Sequence, residues 1–195
     1  MVDERASALT SRRVPPPRGR TILALLACVV VFDAFVFPTV ARRIARLSDG
    51  RGFLPLDLRF SYTPDQAYTV IGSLTPDARR LYAIVELSAD VLYPLAYALF
   101  LYLLAWWLLA RRAGYPRWIE RATMLPFAAM LADWLENAAI VTLIAVYPQR
   151  ADSVAWLASG LTTIKSVCLP LAIVLVLYAA TRALVSRRAR ASASP

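Results

Sequence analysis

Four long apolar runs alternate with polar stretches along this chain: Thr21 to Val40, Leu81 to Ala110, Ala122 to Tyr147 and Ala155 to Val185. Each provides the ~20 apolar residues that a helix needs to cross a hydrocarbon core. After the first loop the connections are short, so the pattern predicts an all-α, antiparallel four-helix bundle integral to a membrane. The polar connection from Ala41 to Leu81 carries its own signals. Ser48-Asp49-Gly50-Arg51-Gly52 marks a turn, and Leu56-Asp57-Leu58-Arg59-Phe60 is a brief alternating run. Thr63-Pro64-Asp65-Gln66 reads as a helix start with a capping box and proline in the first turn. Gly72 can end that helix, and Thr75-Pro76-Asp77 repeats the start signal ahead of the second span. The loop is therefore expected to hold a short amphipathic helix on the membrane surface, with Tyr68 and Ile71 toward the lipid.

Composition agrees with a membrane chain, since 59% of the 195 residues are hydrophobic. The net charge of +9 would suggest nucleic acid in a soluble protein, but the arginines flank apolar segments and no nucleic-acid-reading motif accompanies them. They fit lipid headgroups and topology signals instead. Residues 1–20, with Arg5, Arg12, Arg13 and a Pro15-Pro16-Pro17 run, are expected to be a disordered basic tail, and residues 186–195 a second. The first apolar run is followed by Ala41-Arg42-Arg43 rather than a small-x-small cleavage pattern, which favours a retained helix over a signal peptide. Trp106-Trp107 followed by Arg111-Arg112 reads as an aromatic belt and a charged stop. Arginines are more numerous in the two tails and the 111–121 loop than on the other side, so both termini are expected in the cytoplasm, with the chain in the cell membrane. The sequence holds no histidine, and Cys28 and Cys168 both lie in apolar runs. A disulfide framework, a Cys/His zinc site and a histidine-ligated haem are not expected, and neither a metal nor a cofactor is assigned.

The polar residues inside the spans change this picture. In the third span Asp133, Glu136 and Asn137 sit at i, i+3 and i+4, so they share one helical face. Polar groups at that depth must face protein or trapped water. Asp33 lies near the middle of the first span. In the second, Tyr82, Glu86, Asp90, Tyr93 and Tyr97 form one stripe at helical spacing. In the fourth, Ser159, Thr162, Lys165 and Ser166 form another. Counting inward from the long loop at ~1.5 Å per residue puts these groups in one slab, mostly in the loop-side half. Lys165 is the chain's single lysine among arginines. Lysine can lose its charge on burial whereas arginine cannot, and pairing with Asp133 or Glu136 would hold it charged.

Two readings compete. Polar side chains glue membrane helices together at ~0.6 kcal/mol per hydrogen bond, and Lys165 with one acid can be a structural ion pair. However, five acids in the spans outnumber one lysine, and the excess must be protonated, hydrated or bound to something. That surplus favours a pocket whose candidate ligand-binding residues are Asp33, Glu86, Asp90, Tyr93, Tyr97, Asp133, Glu136, Asn137, Thr162 and Lys165. Arg79 and Arg80, at a helix N-terminus where the dipole disfavours cations, are either snorkelling or candidates for an anionic lipid head. The leading expectation is a module binding a lipid or isoprenoid-like molecule. The alternatives are an intramembrane acid–base enzyme using Asp90 and Glu136, an oligomeric small transporter, and a structural subunit that binds a partner. The expected partners are membrane lipids, a small hydrophobic ligand and, for the transporter, further copies of the chain, but not nucleic acid.

Three blocks carry a resemblance: Tyr62-Thr63-Pro64 through Arg79-Arg80-Leu81-Tyr82, Asp90-Val91-Leu92-Tyr93-Pro94-Leu95-Ala96-Tyr97, and Asp133-Trp134-Leu135-Glu136-Asn137. Over roughly Leu54 to Lys165 the chain resembles a widespread group of uncharacterised bacterial four-transmembrane-helix proteins, which brings no activity. More distantly its layout is similar to the emopamil-binding (EXPERA) superfamily of sterol isomerases and sterol-binding receptors. There Asp33 resembles the first-helix acid, and Glu86 with Pro94 and Tyr97 resembles the second-helix pattern. That resemblance implies a sterol-sized cavity among intramembrane acids. The third helix departs from the pattern, and the isomerases' histidine is missing.

Overall fold

The computed structural model describes residues 17–48, 53–109 and 117–191. The expected N-terminal tail up to residue 16, the turn residues Asp49-Gly50-Arg51-Gly52, the charged stop Arg111-Arg112 and residues 192–195 of the second tail lie outside the described residues. Helices α1 (Gly19–Leu47), α3 (Pro76–Leu109) and α4 (Trp118–Val146) are long and apolar enough to cross a membrane, as is the Asp152–Arg182 part of α5 (Asp152–Ala191). Helix α2 (Pro64–Ser73) lies in the first loop. Among the described residues there is no strand. The chain is an all-α, multi-pass membrane protein built on a four-helix bundle.

The boundaries follow local chemistry. Helix α1 continues past its expected end at Val40 because nothing in Ala41 to Leu47 breaks it. Ile44 turns onto the protein while Arg42, Arg43 and Arg46 stay exposed. Midway, Phe32–Val36 forms a π-helical turn in which the Phe37 N–H donates to the Phe32 carbonyl. Pro38 explains it: the ring has no N–H for the Ala34 carbonyl and crowds it, and a widened turn relieves both problems. Helix α2 has the expected capping box. Thr63 Oγ1 accepts from the Gln66 N–H at 3.3 Å, and Gln66 Oε1 accepts from the Thr63 N–H at 2.9 Å. At the start of α3 the Thr75 hydroxyl serves two helix ends, accepting from the Ala78 N–H and donating to the last carbonyl of α1, at Leu47, at 2.7 Å. Helix α5 runs on through residues expected to be a disordered tail, as far as Ala191.

Two further prolines inside spans remove helical hydrogen bonds. Pro94 in α3 cannot donate to the Asp90 carbonyl. The Asn137 side-chain amide replaces the missing donor, reaching that carbonyl at 2.7 Å, and Trp134 Nε1 donates to the neighbouring Val91 carbonyl at 3.0 Å. Membrane helices tolerate proline where a neighbour repairs the ladder in this way. In α5, Pro170 likewise leaves the Ser166 carbonyl without its helical donor.

Helices α3, α4 and α5 pack on one another, whereas α1 lies chiefly along α3 as an outer helix. Only 6% of the most apolar stretch of α1 is buried, against 39% for α3 and 44% for α4. The core has two apolar clusters. The loop-side cluster joins α2 to the ends of α3, α4 and α5 through Ile71, Tyr82, Ile140, Leu143 and Ala158. The far cluster is formed by Ala98, Ala105, Ala129, Ala172 and Ala179 with leucines between them. One expectation for the loop is corrected. Tyr68 and Ile71 do not face lipid, because α2 seats them in the loop-side core, where Ile71 is fully buried and the Tyr68 hydroxyl accepts from the Ala151 N–H. An amphipathic helix with protein to cover turns its apolar face there rather than to acyl chains.

Candidate functional site

Between the two apolar clusters lies a layer of buried polar groups. Lys165 Nζ sits 2.8 Å from Asp133 Oδ1 and 2.8 Å from Glu136 Oε2. The remaining oxygen of each acid is occupied as well. Tyr97 donates to Asp133 Oδ2 at 3.1 Å, and Thr162 donates to Glu136 Oε1 at 2.6 Å. The i, i+3 spacing on α4 sets both acids on one face, and one amine from α5 bridges them. A buried pair needs this degree of satisfaction to offset its desolvation. Two acids thus share one amine.

A cavity of about 690 Å³ opens beside this cluster, within the size range of ligand pockets. Its walls come from α1, α3, α5, Asp133 of α4 and the segment 53–60, which crosses the loop-side end as a strap. Because α1 packs on α3 and not along α5, the cavity lies at the seam between α1 and α5. Its polar end holds Asp57, Glu86, Asp90, Asp133 and Lys165, while Phe37, Pro38, Leu169 and Pro170 give it apolar walls. Glu86 is only 2% exposed, and its Oε2 has no hydrogen-bond partner. Tyr93 lies edge-on to Phe37, with ring centroids 5.1 Å apart, and lines the cavity together with Asp33.

Of the residues singled out in the sequence, Asp33, Glu86, Asp90, Tyr93, Tyr97, Asp133 and Lys165 line this cavity together. Asp33 does so from the π-helical turn of α1, with its side chain exposed on the protein surface. Glu136, Asn137 and Thr162 are not on the wall. They are buried behind it, Glu136 and Thr162 in the lysine cluster and Asn137 on the α3 backbone. Arg79 and Arg80 are placed elsewhere. The Arg79 guanidinium donates to the Leu74 carbonyl at 3.0 Å, closing the end of α2, and lies 4.5 Å over the Tyr147 ring. That contact explains a cation beside a helix N-terminus, since it serves the C-terminus of the helix before. Arg80 is exposed.

The strap contributes two groups that sequence reasoning passed over, Asp57 and Arg59. The strap is pinned from both sides. The Leu56 N–H donates to the Tyr82 hydroxyl at 3.1 Å, the Tyr62 N–H to Ser159 Oγ at 2.9 Å, and Thr163 Oγ1 donates to the Phe60 carbonyl at 3.1 Å. Leu56 is buried and Leu58 exposed, so the turn between them points Asp57 into the cavity. Burial pushes the Asp57 carboxyl above the ordinary aspartate range, with Lys165 opposing the shift. Burial likewise raises Tyr62, reinforced by Glu136, so its phenol stays neutral. The alternation at Leu56-Asp57-Leu58 was the available signal that one side of this segment faces inward.

Chemically, the site joins an apolar slot to an end where acidic side chains outnumber the cations. Comparison of the chain with protein-family models, with curated proteins and with solved structures returns no match.

Proposed function

We propose that this protein binds an amphipathic lipid or isoprenoid-like molecule taken from the bilayer through the seam between α1 and α5. The observation that carries this reading is the cavity of about 690 Å³, polar at one end, apolar along its walls and set beside the least buried span. An acyl or isoprenoid tail would lie against Phe37, Pro38, Leu169 and Pro170, and the polar end would meet Glu86, Asp90 and Asp57. The distant resemblance to the EXPERA superfamily implies the same kind of cavity. The arginine distribution favours a cell-membrane location with both termini cytoplasmic. The acid–base enzyme with Asp90 and Glu136 is less well supported, because Glu136 is fully buried behind Lys165 and Thr162 and cannot reach a molecule in the cavity. A pocket at the seam also needs no second copy to complete it.

The test is to purify the protein in mild detergent and identify bound small molecules by mass spectrometry. The expected result is a co-purifying amphiphile near one per chain, lost from Leu169→Trp, which fills the apolar wall. A folded wild-type protein that is reproducibly empty overturns the proposal.

A further inference from the structure

The strap is fastened to the spans below their ends. Its partner Tyr82 lies six residues into α3, and its partners Ser159 and Thr163 lie seven and eleven residues into α5. Trp156, which is 58% exposed, marks the level at which α5 meets the lipid headgroups, because tryptophan settles at membrane interfaces. Ser159 and Thr163 are three and seven residues beyond it, or roughly 4.5 Å and 10.5 Å deeper along the helix. The chain that they hold, from Phe60 to Tyr62, therefore dips below the interface before it returns to α2.

Non-helical backbone at such a depth is tolerated only where protein or a cavity takes care of its polar groups. Here span side chains do so. Tyr82 accepts from the Leu56 N–H, Ser159 accepts from the Tyr62 N–H, and Thr163 donates to the Phe60 carbonyl. The Arg59 N–H closes a turn onto the Leu56 carbonyl at 3.1 Å. A loop lying in water needs no such set of partners, since water serves.

The outer edge of the strap is apolar. Leu54, Leu58 and Phe60 are 52%, 68% and 63% exposed. Leu58 and Phe60 also line the cavity, so these two side chains are the partition between it and what lies outside. At the level of the anchors, Leu157 and Ile164 on α5 are exposed as well, the surface of a span that faces acyl chains. Between Leu58 and Phe60, half-buried Arg59 lines the cavity, and its Nε is sealed there without a partner. A cation held on the protein side is what a segment with lipid on its other side requires.

We propose that residues 53–62 form a re-entrant segment whose outer face is an interaction surface for the bilayer. Leu54, Leu58 and Phe60 rest among acyl chains, and lipid completes the wall of the chamber. This goes beyond the binding function proposed above, because it concerns the wall and needs no bound amphiphile; either can fail alone.

The experiment places a nitroxide at Leu58→Cys and, separately, at Phe60→Cys, in protein carrying Cys28→Ser and Cys168→Ser and reconstituted in phosphatidylcholine nanodiscs. Collision with oxygen, which concentrates among acyl chains, is compared with collision with a water-soluble nickel chelate. Ile164→Cys on α5 and Asp65→Cys on α2 supply the lipid and water references. Both strap labels are expected to match Ile164→Cys. Labels that match Asp65→Cys put the strap in water and overturn the proposal. Labels shielded from both reagents mean that a second copy or another protein covers the strap, which overturns it as well. A readout without labels uses Leu58→Ser combined with Phe60→Ser. In nanodiscs this variant should speed hydrogen exchange at the Leu56 and Tyr62 amides at least ~10-fold, since two apolar side chains lose their place in lipid. Unchanged or slower exchange is the outcome for a strap in water and counts against the proposal in the same way.

Discussion

The loop-side half of the bundle and the far half use the same spans but hold them together differently. In the far half, small residues bring helices close: Ala98 and Ala105 on α3, Ala129 on α4, and Ala172 and Ala179 on α5 are buried among leucines. In lipid no hydrophobic force drives such contacts, so close van der Waals fit supplies the adhesion. In the loop-side half the adhesion is polar. Lys165, Asp133, Glu136, Thr162 and Asn137 tie three helices through short hydrogen bonds and ion pairs, and an open cavity adjoins them. A half that only has to cohere does so with alanine. A half that keeps a chamber open needs directional bonds strong enough to hold walls apart.

The sharpest way to break this contrast is Lys165→Met, which leaves Asp133 and Glu136 buried without their cation. It should cost about 3–5 kcal/mol, read as a fall in melting temperature in mild detergent. An unchanged melting temperature would mean that the loop-side half does not depend on its charges. Next in size is Ala129→Leu in the far half, where Ala129 is fully buried. Added bulk there should cost about 1–3 kcal/mol by the same measurement and leave the amphiphile content unaltered. Asn137→Leu should cost about 1 kcal/mol, because the Asp90 carbonyl loses the donor that stands in for Pro94. Adding Pro94→Ala restores a backbone donor, so the double variant should recover most of that loss. A simple sum of the two effects would show that the repair is not what Asn137 does.

The smallest effect concerns the strap and depends on pH. The Asp57 carboxyl is raised by burial, so its neutral form favours the docked strap. Docking is strongest at low pH, where Asp57 is protonated whether docked or free, and weakens as pH climbs from the ordinary aspartate range through the raised value. Protection of the Leu56 and Tyr62 amides from hydrogen exchange should fall over that range in the wild type. Asp57→Asn should flatten the profile, and two superimposable profiles would remove Asp57 from the strap's energetics.

How much of this was written plainly in the sequence depends on how local each cause is. The spans follow from uninterrupted apolar length. The starts of α2 and α3 follow from Thr-Pro pairs whose hydroxyls cap within three residues. Most of the polar layer followed from helical spacing, because a helix fixes which side chains share a face. Causes that act between distant segments were hidden. Asp57 faces inward only because Tyr82 and Ser159 anchor the strap around it, and those anchors lie 26 and 97 residues from their partners. Tyr68 and Ile71 looked lipid-facing because an amphipathic pattern does not name the apolar surface it meets. Arg79 looked misplaced until the end of the preceding helix came into reach. Asn137 read as a pocket residue because its partner is a carbonyl bared by a proline on another helix.

The wide turn at Phe32–Val36 also gives α1 an adjustable register. It accommodates one residue more than a regular helical turn of 3.6, so each side chain beyond it is rotated by roughly 100° from where an uninterrupted helix would point it. Pro38→Ala with every residue kept would let the helix wind regularly. Ile44 would then swing off the protein, and the arginines at 42, 43 and 46 would sweep around the axis. One proline thus decides which edge of the outermost helix looks inward, and the chamber's fourth wall turns with it.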